Sequence, residues 1–349
     1  MRADEPGQEL ERPRIEAALE RLCARQDLDE AEAEALFSAL AEGALSEAQI
    51  AGLLIALKAK GEVPAEMAGA ARALRAAARP FPRPDGLFAD TCGTGGDHSG
   101  TINVSTAVAF VTAACGLPVV KHGNRAASSR CGSADVLETL GARLELAPEE
   151  ARRVLDVSGV CFLFAPYYHP AMRHAGPVRR ALGVRTLFNL LGPCLNPAAP
   201  PVQLVGVADP RLIEPVAQTL ASLGCERFLV VHGGGLDEIA LHADSEAARM
   251  TDGGIERIII TPEDAGVRRA PLEALKGGDA AENARRLRAC LSGEGSEAER
   301  DMVALNAGAL LMTAGLAADM REGTRAALRA LADGRAGERL DLFLEASRG

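Results

Sequence analysis

Four stretches of this 349-residue chain concentrate side chains that can do chemistry. The first is Gly93-Thr94-Gly95-Gly96-Asp97. Three glycines in four positions let backbone N–H groups converge on an anion, and a helix that follows adds its positive N-terminal end. A plain tight turn would use the same glycines. The run is not the dinucleotide pattern G-x-G-x-x-G, because Asp97 and His98 stand where that pattern continues. Nor is it a phosphate loop of the Gly-Lys-Ser/Thr kind. Thr101, Asn103, Ser105 and Thr106 follow, offering hydroxyls and an amide to phosphate oxygens or a hard metal.

The second stretch runs from Lys121 to Ser133 and holds Lys121, Arg125, Arg130 and three serines. It follows a short apolar strand, so it falls where ligands bind in α/β sheets. A solvated basic loop is the bland alternative. The third runs from Tyr168-His169-Pro170 to Arg185, with four Arg and no acid between 165 and 185. A guanidinium fork matches a carboxylate bidentately. The fourth is Val231-His232-Gly233-Gly234-Gly235-Leu236-Asp237-Glu238. Adjacent carboxylates on a glycine-rich loop suit Mg²⁺, which binds through a few carboxylates plus substrate phosphates. Two solvated acids would read the same way. No Ser-His-Asp or Cys-His arrangement stands out. The pattern implies positioning and electrostatics, with no residue assigned to acid–base or covalent catalysis.

The elements that carry these stretches fall into two textures. Residues 13–79 read as helices, with Leu19, Leu22, Leu36, Leu40, Ile50, Leu53, Leu54 and Leu57 at helical spacing. Ser46 with Gln49 predicts a capping box, and Pro64 predicts a helix start. Three prolines within 80–84 mark a linker over 80–85. Beyond it, buried strands are expected at Pro118–Val120, Val160–Phe164, Val202–Val207, Phe228–Val231 and Arg257–Ile260. Helices are expected over Thr106–Cys115, over Ala134–Leu140 and from about Asp279 onward. Strand-turn-helix alternation predicts an α/β domain with a central, largely parallel sheet flanked by helices.

Composition excludes several classes. The net charge of −10 argues against a nucleic-acid or membrane-surface binder. Aromatics are only 3%, too few for a base-stacking platform. The eight cysteines show no C-x-x-C or zinc spacing and read as reduced thiols. The acidic start Met1-Arg2-Ala3-Asp4-Glu5 carries no secretory signal, and the apolar runs are too short to span a bilayer. A cytoplasmic protein is expected. The negative balance does not exclude a small polyanion in a cleft. The segment 93–132 has Lys121, Arg125 and Arg130 against Asp97 alone, and 165–185 has only Arg.

Taken together and in this order, the motifs resemble the anthranilate phosphoribosyltransferases of tryptophan biosynthesis. The match spans GTGGD with NVST, KHGNRAASS, YHPAMRHAGPVRRALGVRTLFNLLGPCLNP, HGGGLDEIAL, GGDAAENA and LNAGALLMTAGLA. The resemblance implies transfer of the 5-phosphoribosyl group from 5-phosphoribosyl 1-diphosphate to the anthranilate amine. It implies a nucleoside phosphorylase-like fold, in which a small, mostly N-terminal helical domain (1–79, joined by about 171–195) accompanies a larger α/β domain (86–170 and 196–349). It further implies Mg²⁺, two ions per subunit, and a homodimer formed through the helical domain.

Residue by residue, the resemblance gives the donor Gly93, Gly96, Asp97, Thr101, Asn103, Val104, Ser105 and Thr106. To these it adds Lys121, His122, Gly123, Asn124, Arg125, Ala126, Ala127, Ser128, Ser129 and Ser133. It gives anthranilate Gly93, Asn124, Arg179, His122, His169 and Gly192, and the metal Ser105, Asp237 and Glu238. Cys131 and Cys194-Leu195 depart from the usual pattern, beside these residues and not on them. A pyrimidine nucleoside phosphorylase and a nucleic-acid-binding relative share the implied fold and are the alternatives. The first would have no use for a metal-diphosphate pair, and the second would need a basic surface.

Overall fold

The computed structural model describes residues 8–126 and 130–349, residues 8–14 by backbone alone. Four helices open the chain: α1 (Gln8–Cys23), α2 (Glu30–Glu42), α3 (Glu47–Lys60) and α4 (Pro64–Ala76). Local chemistry sets their ends. Ser46 Oγ accepts from Gln49 N while the Gln49 side chain accepts from Ser46 N, the reciprocal cap that the spacing predicts. Pro64 opens α4, where its missing N–H has no partner to lose. Leu36, Phe37, Leu40, Leu53, Leu54 and Leu57 are buried together. Glu66 is buried but satisfied: it accepts from Leu28 N and Val63 N and pairs with Lys60, tying the turn before α2 to α4.

Residues 79–84 are irregular, as their prolines require. Then come β1 (Ala89–Gly93), α5 (Val104–Ala114), β2 (Val119–Gly123), α6 (Ser133–Thr139), α7 (Pro148–Ser158) and β3 (Val160–Phe164). The short α8 (Ala165–Tyr168), α9 (Met172–Leu182) and α10 (Leu187–Leu191) follow, and then a 3-10 turn over Gly192–Cys194. α9 and α10 leave the sheet and pack on α2, α3 and α4. Ala175, Val178, Leu187 and Leu191 join the buried cluster of those helices, and Phe188 meets Phe37 edge-on at 6.0 Å. The chain returns through β4 (Val202–Gly206), α11 (Ile213–Ser222), β5 (Arg227–Gly233), β6 (Ser245–Thr251) and β7 (Gly254–Ile260). It ends with α12 (Pro262–Ala265), α13 (Ala280–Leu291), α14 (Glu297–Ala314), α15 (Met320–Ala332) and α16 (Arg335–Arg348).

The strands form one sheet in the order β3-β2-β1-β4-β5-β6-β7. β1 to β5 run parallel, and β6 and β7 are antiparallel additions at one edge. From β1 the strand order grows toward β3, and from β4 it grows the other way. The reversal between β1 and β4 opens a crevice at the strands' carboxyl ends. α5, apolar almost all round, is buried except at Ser105 and packs against α14 and α16. Among the described residues no helix is long and apolar enough to cross a membrane, and no disulfide forms.

Two expectations change. Arg257–Ile260 is not a buried core strand but the end of edge strand β7, where Ile259 is 60% exposed. Its partner β6, Ser-Glu-Ala-Ala-Arg-Met-Thr, has no apolar run to signal it. Cross-strand pairs Arg249–Glu256 and Arg257–Glu246 accompany its ladder. Helices α5 and α6 start at Val104 and Ser133, slightly earlier than their apolar runs suggest.

The loop after β5 is anchored from α14. Asn306, fully buried, accepts from Ile239 N at 3.0 Å and donates to Ile239 O at 3.0 Å. Asn306→Leu should leave both backbone polar groups of Ile239 unsatisfied and cost about 2–4 kcal/mol. Urea denaturation measures this, and a variant within ~1 kcal/mol of the parent would show that the anchor is dispensable.

Candidate active site

A cleft of ≈ 490 Å³ opens at the carboxyl ends of β1 and β2 and is closed on one side by α9 and α10. Its floor depends on two glycines. Gly93 on β1 stands in register with Gly206 on β4. A Cβ on Gly93 would come within 2.1 Å of Asp237 Oδ2, and one on Gly206 within 1.6 Å of Asp237 O. Only hydrogen at both positions lets the loop after β5 lie over the sheet's end. Asp237 then accepts from Gly95 N at 2.7 Å, and Glu238 from Ser105 N at 3.2 Å.

The two carboxyls are electrostatically costly where they stand. Burial, and then the charge of Asp97, push Asp237 above the ordinary carboxylate range. Burial and then Asp237 push Glu238 up, and Lys121 opposes the shift. Their donor set is hard oxygen: two carboxylates, with Ser105 hydrogen-bonded to Glu238 through its N–H and carrying a hydroxyl of its own. A divalent cation fits such a set because it relieves the repulsion that raises both groups. Among the described residues no group of three or more His, Cys, Asp or Glu forms a ligand set alone. Substrate phosphates would have to complete the coordination of Mg²⁺.

The loop between β1 and α5 is pinned from far along the chain. Asn283 on α13 donates to Asn103 Oδ1 at 2.9 Å and accepts from Gly278 N at 2.8 Å. Gly277 N donates to Gly100 O at 2.8 Å and Ile102 N to Leu275 O at 3.0 Å. Asn103 in turn donates to Cys131 O at 3.2 Å, reaching the loop after β2.

Deeper in the cleft, His122 and His169 face each other, Nε2 to Nε2, at 3.1 Å. Burial first, and then the neighbouring imidazole, hold His122 well below the ordinary histidine range. Burial brings His169 down to about 4. At neutral pH the pair is therefore uncharged. Beneath it, fully buried Asp90 accepts from His122 N and from Asn196 Nδ2, tying β1, β2 and the turn after α10 together. Arg179 lies over the Phe188 ring at 5.0 Å. Burial alone lowers its pKa, with no carboxylate acting on it.

Most expected site residues meet in this cleft. Gly93, Gly96, Asp97, Thr101, Asn103, Val104, Ser105, His122 to Ala126, His169, Arg179, Gly192, Asp237 and Glu238 all line it. Lys121, Thr106 and Ser133 do not. Lys121 is 3% exposed and donates from below to Thr91 O and to Ser105 Oγ at 3.1 Å. Thr106 is buried inside α5. Ser133 donates to Asn124 O at 3.3 Å and so braces the loop from behind. Ala127, Ser128 and Ser129 lie outside the described residues.

The Arg cluster divides as well. Arg179 and Arg185 enter the cleft, whereas Arg173 and Arg180 face solvent on α9. Sequence reasoning passed over Asn283, Phe188 and Asp90 as site residues. The GGDAAENA motif was the available signal for Asn283, and Asp90 gave none.

A glycosyl transferase family matches this chain in two parts, a helical bundle domain over residues 16–78 and an a/b domain over residues 85–337. Fold and cleft thus define a glycosyltransferase. An anthranilate phosphoribosyltransferase of Sorangium cellulosum is 59% identical over 334 residues, 96% of each chain. That of Serratia proteamaculans is 50% identical over 96% of this chain and 100% of its own. The crystal structure of the Thermus thermophilus enzyme superposes with a TM-score of 0.91 at 46% identity, over 95% of this chain and 99% of that one. The chain belongs to the anthranilate phosphoribosyltransferase family. The fold extends to the Saccharomyces cerevisiae enzyme in complex with PRPP and Mg, at 24% identity and a TM-score of 0.88 over 96% of this chain and 98% of that one.

The histidine pair carries a pH signature. Both native imidazoles titrate below the ordinary 6.5, His169 at about 4. Between those values the unfolded chain binds protons that the native state refuses, so stability falls as pH drops through this window. For His169 the shift is worth roughly 3 kcal/mol at about 1.4 kcal/mol per unit. His122→Asn/His169→Asn should flatten the fall in stability between pH 6.5 and 4, followed by denaturant titration. An unchanged slope would mean that the imidazoles are not held neutral.

Proposed function

We propose that this cleft joins the anthranilate amine to C1 of 5-phosphoribosyl 1-diphosphate, with Arg179 holding the acceptor's carboxylate. The observation that carries the reading is Arg179 itself. Its guanidinium is half-buried in the cleft, stacked on Phe188 and paired with no carboxylate among the described residues. A cation desolvated beside an aromatic face is suited to a planar benzoate. Asn124, Gly93 and Gly192 complete the acceptor's surroundings in this reading. His122 and His169, being neutral, offer hydrogen bonds without repelling Arg179 or attracting the carboxylate away from it.

The donor takes the glycine loop. Gly93, Gly96, Asp97 and Thr101 receive diphosphate and ribose, with Asn103, Val104 and Ser105 continuing along the start of α5. His122 to Ser129 wrap the phosphoribosyl group. Lys121, Thr106 and Ser133 act from behind, through the residues they brace. The reaction asks little covalent chemistry of the protein. Diphosphate is already a good leaving group, and C1 becomes oxocarbenium-like as it departs. The aniline nitrogen is uncharged at pH 7 and attacks without a base; its proton leaves once the new C–N bond makes it acidic. The chain's task is to aim nitrogen at carbon and to exclude water.

Ser105, Asp237 and Glu238 would hold Mg²⁺, two ions per subunit, and bound metal would neutralise charge on the departing diphosphate. The raised carboxyls support this assignment, as does the Mg in the yeast complex. The same reading makes residues 1–79 with 171–195 a helical domain, a homodimer interface within it, and the cytoplasm the site of action. Family membership supports these parts.

Arg179→Ala should raise the KM for anthranilate by about 10–100-fold, the cost of one charged hydrogen-bonded contact, and leave the donor KM within about threefold. Anthranilate fluorescence depletion measures both, and equal loss for the two substrates would overturn this division of roles. Asp237→Ala/Glu238→Ala should lower Mg²⁺-supported turnover by at least about 10³-fold. Full activity in that variant would reject the metal assignment.

A further inference from the structure

Arg185 sits on the turn between α9 and α10, yet its guanidinium lies against the glycine loop that follows β1. Nη2 donates to Gly95 O at 3.0 Å. Gly96 has φ +82°, and a Cβ there would sit 1.4 Å from Arg185 Nη1. The bare backbone at Gly96 is therefore what lets the guanidinium lie flat on the loop. Gly95 is held through both of its backbone polar groups, its N–H by Asp237 and its C=O by Arg185.

A guanidinium has five donors, and this one uses a single hydrogen bond and no ion pair among the described residues. The cations nearest the floor are already engaged. Arg125 is bound to Glu138 at 2.6 Å and stacked on Phe164, Arg179 lies over Phe188, and Lys121 is buried beneath the floor, outside the lining; Arg130 also lines the cleft and is exposed. Asp97, Asp237 and Glu238 line the same region, so an arriving polyanion meets three carboxylates and needs a cation facing it.

We infer that Arg185 binds the diphosphate group of the donor and thereby ties the α9–α10 segment, which carries Arg179, to the glycine loop. This rests on the transferase reading above. Arg185 is then a donor residue supplied by the acceptor-side helices. A phosphate–guanidinium contact replaces or joins its bond to Gly95 O, since both need only N–H donors on one edge of the fork.

The test uses Arg185→Gln and Arg185→Lys in the full chain, with inorganic diphosphate and Mg²⁺ as the calorimetric probe and steady-state KM for both substrates. Arg185→Gln should weaken diphosphate binding and raise the donor KM by about 10–100-fold. The anthranilate KM at saturating donor should stay within about threefold, and Arg185→Lys should recover part of the donor loss. Parent-like diphosphate affinity in the Gln variant would overturn the inference. So would equal weakening of both substrates in both variants, the mark of a structural role. If the parent turns over both substrates while the Gln variant binds diphosphate unchanged, only the Arg185 assignment fails. A parent protein that transfers nothing to anthranilate removes the transferase reading itself.

Discussion

The close approach of the Asp237 loop to the paired glycines Gly93 and Gly206 is the contact on which the site depends. It occurs where the strand order reverses, between β1 and β4. Any side chain at either glycine would lift the loop and carry Asp237 and Glu238 away from Gly95 N and Ser105 N. Asn306 holds the other side of the loop by bonding both polar groups of Ile239. The carboxyl ends of two central strands and a buried amide thus clamp two acidic residues that would otherwise repel each other into solvent. The clamp holds them where a cation and a polyphosphate can use them.

That arrangement revises the charge picture. The residues lining the cleft include Arg125, Arg130, Arg179 and Arg185 against Asp97, Asp237 and Glu238. The cleft is close to balanced and not strongly basic, because Arg173 and Arg180 point out of it and the acidic pair points in. Charges of both signs suit a donor that arrives as a polyanion with its metal and leaves in two parts. Neutral histidines line the deeper portion, where burial disfavours any further charge.

Much of this was legible in the residues. Ser46 and Gln49 capped the helix they were expected to cap, because such a cap needs only four neighbouring residues. The glycine loop, the loop after β2 and Asp237-Glu238 converge as strand-end position implied. Other features carried no local mark. Strand β6 has no apolar run: what it buries is Ser245, Ala247 and Ala248, small residues that give no strand signal, and its ladder to β5 and β7 supplies the rest. Lys121 reads as a binding cation until the pleat of β2 turns it under the floor, and Asp90 stands before the glycine loop with nothing to mark it as buried.

The linear chain by itself determined the element types, the motif order and the family, because caps, turns and periodicity act over a few residues. Tertiary structure decided which side of each element faces the cleft and which distant segments meet there. It placed Asn283 against Asn103, the His122 imidazole against His169, and Arg185 against Gly96, pairs 180, 47 and about 90 residues apart. Those meetings follow from strand order and helix packing, which depend on burying the whole core at once and leave no trace in any one stretch of sequence.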